Sequence, residues 1–267
     1  MGKENSGLMT FGGHLEVLRR MFFRVLAVLA VLAIGIFCLK DVTFELLFAP
    51  TSNEFCLYSW IEKISSFFGG EFRFDDFSVQ LISTELSAQF MTHLTSSLYL
   101  ALLLASPYIL FELYAFVAPA LYANERKSVR KALIFSSVLF YMGVVLSYFV
   151  IFPLMLNFFA GYQVTETIPN TFALGSYISL FMSMILIFGI VFEFPSLIAV
   201  LSALGLVNRD SLKNLRRYAI CIVLVLAAVI TPSGDPFSLL VVSVPLYLLY
   251  EFSIIICRKG EVKALEE

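Results

Sequence analysis

The run SYISLFMSMILIFGIVFEFPSLIAVLSAL, residues 176–204, holds one charged side chain, Glu193, among residues that are otherwise apolar or small. As a helix it reaches about 43 Å at 1.5 Å per residue. The hydrocarbon layer of a bilayer is about 30 Å thick, so this run crosses it with length to spare. A carboxylate near the middle of such a helix costs on the order of 3 kcal/mol on insertion scales. Counted back from Leu204, Glu193 lies about 16 Å deep, too far from either surface to reach water easily. Pro195 removes a backbone donor two residues later and predicts a bend there.

The rest of the chain repeats the pattern. Of 267 residues, 60% are hydrophobic and 14% charged, with 28 Phe and a mean hydropathy of +0.89. Soluble domains of ordinary composition do not look like this. Backbone groups inside lipid must be satisfied within helices, so the prediction is an all-α polytopic membrane protein, a single membrane domain over 1–267. Six transmembrane spans fit, at about 21–39, 93–118, 132–152, 176–204, 218–230 and 237–257. The fifth is short, about 20 Å as a helix, and requires either a thinned bilayer or polar shielding at its ends. TPSGDP (231–236) makes a tight hairpin of the last two spans. The first apolar run, Met21 to Leu39, is long for a signal-peptide core and is followed by KDVTFELL (40–47), which favours a retained span.

Orientation follows from the Lys and Arg residues. Fifteen of the 18 fall on one side of this arrangement, leaving only Lys40, Lys63 and Arg73 on the other. The positive-inside rule puts both termini in the cytoplasm. The external loop 41–92 is the only long one. It mixes eight acids, from Asp41 to Glu85, with Phe67, Phe68, Phe72 and Phe74. A partly folded cap with a surface helix around Tyr58–Phe68 and a solvated loop through FFGGEFRFDD (67–76) fit this mixture equally well. Cys38, Cys56, Cys221 and Cys257 are too scattered for a disulfide framework.

Side-chain catalysis has little to work with. The sequence holds no phosphate loop and no nucleophile motif, and its two histidines, His14 and His93, fall at opposite faces of the membrane. No cofactor and no nucleic acid are expected, and binding or transport becomes the default. Two acidic segments stand at the cytoplasmic edge. HLEVLRR (14–20) forms an amphipathic helix in which Glu16 either pairs with Arg20 at i,i+4 or serves function. In PALYANERKSVRKAL (119–133), Asn124 caps a helix and Glu125 occupies its first turn, where the dipole favours an anion. A carboxylate at the mouth of a membrane groove also suits an arginine-bearing peptide, because guanidinium and carboxylate dock through two parallel hydrogen bonds.

These segments resemble the TatC family, the multispan receptors of twin-arginine protein translocation. HLEVLRR is similar to the family's amino-terminal His-Leu-Glu-Glu-Leu-Arg motif. SPYILFELYAFVAPALYANER (106–126), FGIVFEFP (188–195), and ITPSGDPFS (230–238) with PLYLLYE (245–251) follow in the family's order. The resemblance implies a glove-shaped bundle, concave toward lipid, with an external cap, in the bacterial inner membrane. It implies recognition of twin-arginine signal peptides of folded cargo, docking of single-span TatA/TatB-type partners, self-association in a larger complex, and export driven by the proton-motive force. By motif, Glu125 is the main acceptor of the arginine pair, Phe116 and Leu121 shape the same patch, and Glu16 and Arg19 support it. Glu193 matches a buried acid that awaits a polar side chain on a partner helix; the alternative is a protonated carboxyl bonded to Ser or Thr inside the bundle. Pro50, Glu85 and Asp235 match external structural positions.

Three departures stand out. The motif's second glutamate is Val17. Glu112 replaces an uncharged glutamine, and either adds an acceptor beside Phe116 or snorkels or is protonated. The first loop is also longer than expected. The runner-up function is a proton-coupled secondary transporter with a path through Glu193, Glu112 and Glu251.

Overall fold

Apolar runs of this length have one way to satisfy their backbone in lipid, and helices account for nearly everything the structure describes. The computed structural model describes residues 11–52, 55, 57, 58, 79–117, 123–162, 165, 170–231 and 235–257. In chain order the helices are α1 (Phe11–Cys38), α2 (Lys40–Phe48), α3 (Ala88–Val117), α4 (Ala123–Leu146), α5 (Phe152–Gly161), α6 (Leu174–Val191), α7 (Phe194–Ala203), α8 (Arg209–Asn214), α9 (Arg216–Ile230) and α10 (Pro236–Ile256). Five helical segments among the described residues are long and apolar enough to cross a membrane: Leu15–Cys38, Ala88–Phe116, Ala132–Gly161, Leu174–Ala203 and Pro236–Ile256. The expected fifth span falls in α9. With 15 residues α9 reaches about 22 Å, short of the hydrocarbon thickness.

The prolines mark where the helices depart from regularity. Pro107 lies inside α3 and cannot donate to the carbonyl of Leu103 one turn back. Two hydroxyls replace it: Ser106 Oγ at 2.8 Å and, from α4, Tyr141 Oη at 3.3 Å. The third span does not stop near 152 as the sequence suggests. A π turn over Ser147–Ile151 leads into α5, with Pro153 in its first turn, and the helical path runs on to Gly161. Pro153 is accommodated because it stands in the first turn of α5, where proline is tolerated. In the fourth span α6 ends at Val191, Glu193 is the N-cap of α7 and Pro195 sits in the first turn of α7; Phe192 and Glu193 keep right-handed helical angles, so one helical path continues to Ala203.

In lipid no hydrophobic effect pulls helices together, so close van der Waals packing must do it. Two glycines show how tight this packing is. A Cβ on Gly143 of α4 would lie 2.6 Å from the carbonyl oxygen of Phe188 on α6, and one on Gly189 of α6 would lie 2.8 Å from the ring of Phe140 on α4. Each helix thus carries a notch filled by an aromatic residue or backbone of the other. In the core around this contact Phe152, Phe181, Phe188, Met155, Met182 and Met184 are fully buried. Elsewhere α1 packs along α3, α4 also touches α7, and α10 packs against α9 and α7.

At the end bearing the 41–92 segment, α2 runs into a 3₁₀ turn at Ala49–Thr51. The strand Gln80–Ile82 (β1) pairs in parallel with Thr171–Ala173 (β2). Pro50 cannot donate to Leu46, and Tyr148 Oη donates to that carbonyl at 2.9 Å. Tyr177 Oη donates to Leu47 at 2.8 Å, and Tyr58 Oη to both Pro50 and Pro153, at 3.3 and 3.2 Å. Burial raises the Tyr58 pKa above the ordinary phenol range, which keeps this hydroxyl a donor. The expected helix over 58–68 lies, apart from Tyr58, outside the described residues.

Candidate functional site

The amino-terminal half of α1 is amphipathic, and Leu15, Leu18 and Phe22 are exposed along it. Glu16 forms the i,i+4 ion pair with Arg20, both side chains exposed. Arg19 is also exposed and has no ion pair among the described residues. One turn beyond Arg20, Arg24 reaches across to α3. Its Nη2 lies 2.7 Å from Glu112 Oε2, and Tyr108 Oη donates to Glu112 Oε1, also at 2.7 Å. The Glu112 side chain is 7% exposed and that of Arg24 57%. Glu112 is therefore neither snorkelling nor waiting free: an arginine of its own chain neutralises it.

This pair fixes the level at which α1 meets the last turns of α3. Phe116, half-buried, follows Glu112 by one turn. Glu125 occupies the first turn of α4; the described side chains of α4 begin at Ala132, and Leu121 lies outside the described residues. Glu16, Phe116 and the start of α4 thus belong to one end of the bundle.

The same triad recurs between α9 and α10. Arg216 of α9 lies 2.6 Å from Glu251 Oε2 of α10, and Tyr247 Oη donates to Glu251 Oε1 at 3.0 Å. In both places a tyrosine precedes the glutamate by four residues on one helix, and the arginine comes from a neighbouring helix. Arg24, Tyr108, Arg216 and Tyr247 were not singled out from the sequence. The Tyr-x-x-x-Glu spacing puts both groups on one helix face, but it occurs four times in the sequence, also at Tyr58/Glu62 and Tyr162/Glu166, so it does not by itself pick out these two pairs.

Glu193 lies at the junction between α6 and α7. Ser136 of α4 donates its hydroxyl to Glu193 Oε2, and Ser196 joins the same polar group. Glu193 Oε1 is enclosed and lacks a hydrogen-bond partner among the described residues. The residue also lines a cleft of about 500 Å³ whose other walls are apolar, among them Leu197, Ile222, Leu226 and Leu246. One oxygen is satisfied inside the bundle, and the residue borders a groove between α6, α7, α9 and α10.

The external structural residues are separate from these. Pro50 is buried in the 3₁₀ turn. Asp235 caps α10, its Oδ1 accepting from the Ser238 amide at 2.8 Å. Glu85 is exposed and lines a cleft of about 420 Å³ with Thr84, Thr92, Thr95, Ser176 and Ser179. Among the described residues no three His, Cys, Asp or Glu side chains converge as metal ligands would, and Cys38, Cys221 and Cys257 are free thiols.

Comparison with known proteins places these features in a family context. Residues 13–245 match the family model described as Sec-independent protein translocase protein (TatC). The chain is 33% identical over 258 residues to the Sec-independent protein translocase protein TatC of Blattabacterium sp. subsp. Periplaneta americana, covering 95% of this chain and 97% of that one. It is 32% identical over 254 residues to the protein of that name from Deinococcus radiodurans, covering 95% and 87%. Two crystal structures described as twin arginine translocase receptor TatC superpose with TM-scores of 0.70 and 0.73, at 30% and 29% identity. They cover 91% and 92% of this chain, and 97% and 99% of theirs.

Proposed function

Because the chain belongs to the Sec-independent protein translocase (TatC) family, a membrane-embedded transport component rather than a classical enzyme, we propose that it is the core receptor subunit of a twin-arginine translocase. In this reading it binds twin-arginine signal peptides of folded proteins at the cytoplasmic face. It docks single-span TatA/TatB-type partners within the membrane, and the proton-motive force drives export. The observation that carries the reading is the Arg24–Glu112 pair, which holds α1 against the end of α3 and so gathers Glu16, Phe116 and the Glu125-bearing start of α4 at one end of the bundle. Glu125 is the main acceptor, with Arg19 and Glu16 in support and Leu121 and Phe116 as the apolar part of the patch.

Six spans with both termini cytoplasmic follow if α9 crosses a thinned bilayer, and the charge asymmetry of the sequence supports that orientation. The setting is then a bacterial cytoplasmic membrane, with the whole chain as one glove-shaped membrane domain self-associating in a larger complex. Pro50, Glu85 and Asp235 keep the opposite end in shape. Glu193 receives a polar group of the partner helix in the cleft it borders, a contact worth about 1 kcal/mol and therefore reversible. A proton path through Glu193, Glu112 and Glu251 fits less well, since Arg24 and Arg216 neutralise two of the three acids.

The deciding measurement is binding of a synthetic twin-arginine signal peptide to the purified chain. Glu125→Gln should abolish it, and a normal isotherm for that variant would count against the assignment. Glu193→Ala should leave peptide binding and membrane insertion intact while weakening photocrosslinks to a partner helix.

A further inference from the structure

We propose that Glu112 and Tyr108 form a second guanidinium cradle for the incoming signal peptide, and that Arg24 fills it in the unliganded chain as an internal substitute. The proposal rests on the receptor reading and extends it. A pair of adjacent arginines presents two guanidinium groups, and Glu125 by itself offers one carboxylate. Glu112 is the next acid back along the same segment, one turn before Phe116.

The geometry is that of an occupied binding site more than of a buried structural ion pair. Glu112 lies at the floor, 7% exposed, while Arg24 above it is 57% exposed. The chain itself thus encloses the carboxylate and leaves the guanidinium that covers it largely uncovered. Tyr108 Oη at 2.7 Å fixes the carboxylate in place. Arg24 uses a single nitrogen, Nη2 to Oε2. A carboxylate oxygen has two acceptor sites, so the fork-like two-bond approach remains available to an arginine that can align with it. Arg24 is tethered to α1 and does not align this way; an arginine on a peptide is free to. The triad of Arg216, Glu251 and Tyr247 serves as an internal control. There the exposures of arginine and glutamate are 47% and 30%, so the floor-and-lid asymmetry is much weaker, and that triad joins α9 to α10, away from α1 and the end of α3.

An internal competitor lowers apparent affinity by the fraction of time it occupies the site. Removing it should tighten binding, and only while Glu112 remains. The experiment titrates the full chain in lipid nanodiscs with a fluorescent synthetic peptide bearing adjacent arginines. Arg24→Gln is expected to bind roughly fivefold tighter than the unmodified chain. The gain should vanish in the Arg24→Gln, Glu112→Gln double variant and be absent in Arg216→Gln.

In parallel, a photoreactive residue placed beside the arginines of the peptide should form adducts within 108–116 of the unmodified chain, which requires no variant to fold. Unchanged or weaker binding in folded Arg24→Gln overturns the cradle, as do adducts absent from 108–116. If either occurs while Glu125→Gln still abolishes binding, only the cradle falls. An unmodified chain that binds no peptide overturns the receptor reading and the cradle with it.

Discussion

Tyrosine hydroxyls carry out a large part of the backbone accounting. Pro107 and Pro50 each leave a carbonyl one turn back without its helical donor, and Tyr141 and Tyr148 supply the replacements. Tyr177 adds a donor to Leu47, which is fully buried. An unsatisfied buried acceptor costs about 1–3 kcal/mol. Tyr177→Phe should therefore lower stability by about 1–2 kcal/mol, read as a lower thermal unfolding midpoint of the detergent-purified protein. Tyr141→Phe should cost less than half of that, because Ser106 still serves Leu103. Equal losses in the two variants would contradict the account. At this scale the sequence was only partly legible. Glu193, Glu125 and Asp235 stand out as acids beside apolar runs or turns, whereas the partner of a tyrosine hydroxyl lies on another helix and no local spacing announces it. Arg24 is the same case: its sequence neighbours are apolar, and its partner is 88 residues away.

Between elements the decisive contact is α4 against α6. Gly143 and Gly189 let the two backbones approach until no Cβ fits. In an unconstrained helix Gly→Ala is worth about 1 kcal/mol in favour of Ala. Gly143→Ala should nonetheless destabilise by about 1–3 kcal/mol, since the added methyl meets the Phe188 carbonyl, which cannot rotate away as a side chain would. Gly35→Ala on α1, where nothing lies within 4 Å, should be neutral or stabilising by up to about 1 kcal/mol. Opposite signs in matched unfolding measurements would support the notch; equal signs would remove it. Helix existence was legible here because runs of 20 or more apolar residues allow little else. Helix ends were not. The third span reads as ending near 152, whereas a π turn carries the path into α5 and on to Gly161, and α6 passes into α7 at Phe192–Glu193, just before Pro195. Proline restricts its own turn, and whether the path continues depends on what the neighbouring helices offer the freed groups.

Across the whole molecule the charge distribution makes a prediction about sidedness. In a background lacking Cys38, Cys56, Cys221 and Cys257, a membrane-impermeant maleimide applied to intact cells should label Glu85→Cys and spare Lys213→Cys. Labelling of Lys213→Cys alone would invert the orientation. Fold class and family were legible because composition and four ordered motifs extend over most of the chain. The count of spans was less so: α9 is helical where expected, and its length leaves it outside the five segments long enough to cross.

That short helix has a consequence for the surrounding lipid. If α9 crosses, acyl chains along the α9 flank must compress to meet a span about 8 Å shorter than the usual hydrocarbon thickness, while those against α1 need not. Such deformation is costly around an isolated protein and cheaper when two compressed rims merge. Neighbours with equally short spans, whether further copies or single-span proteins, would then be drawn to this flank by the elasticity of the membrane before any side chain touches.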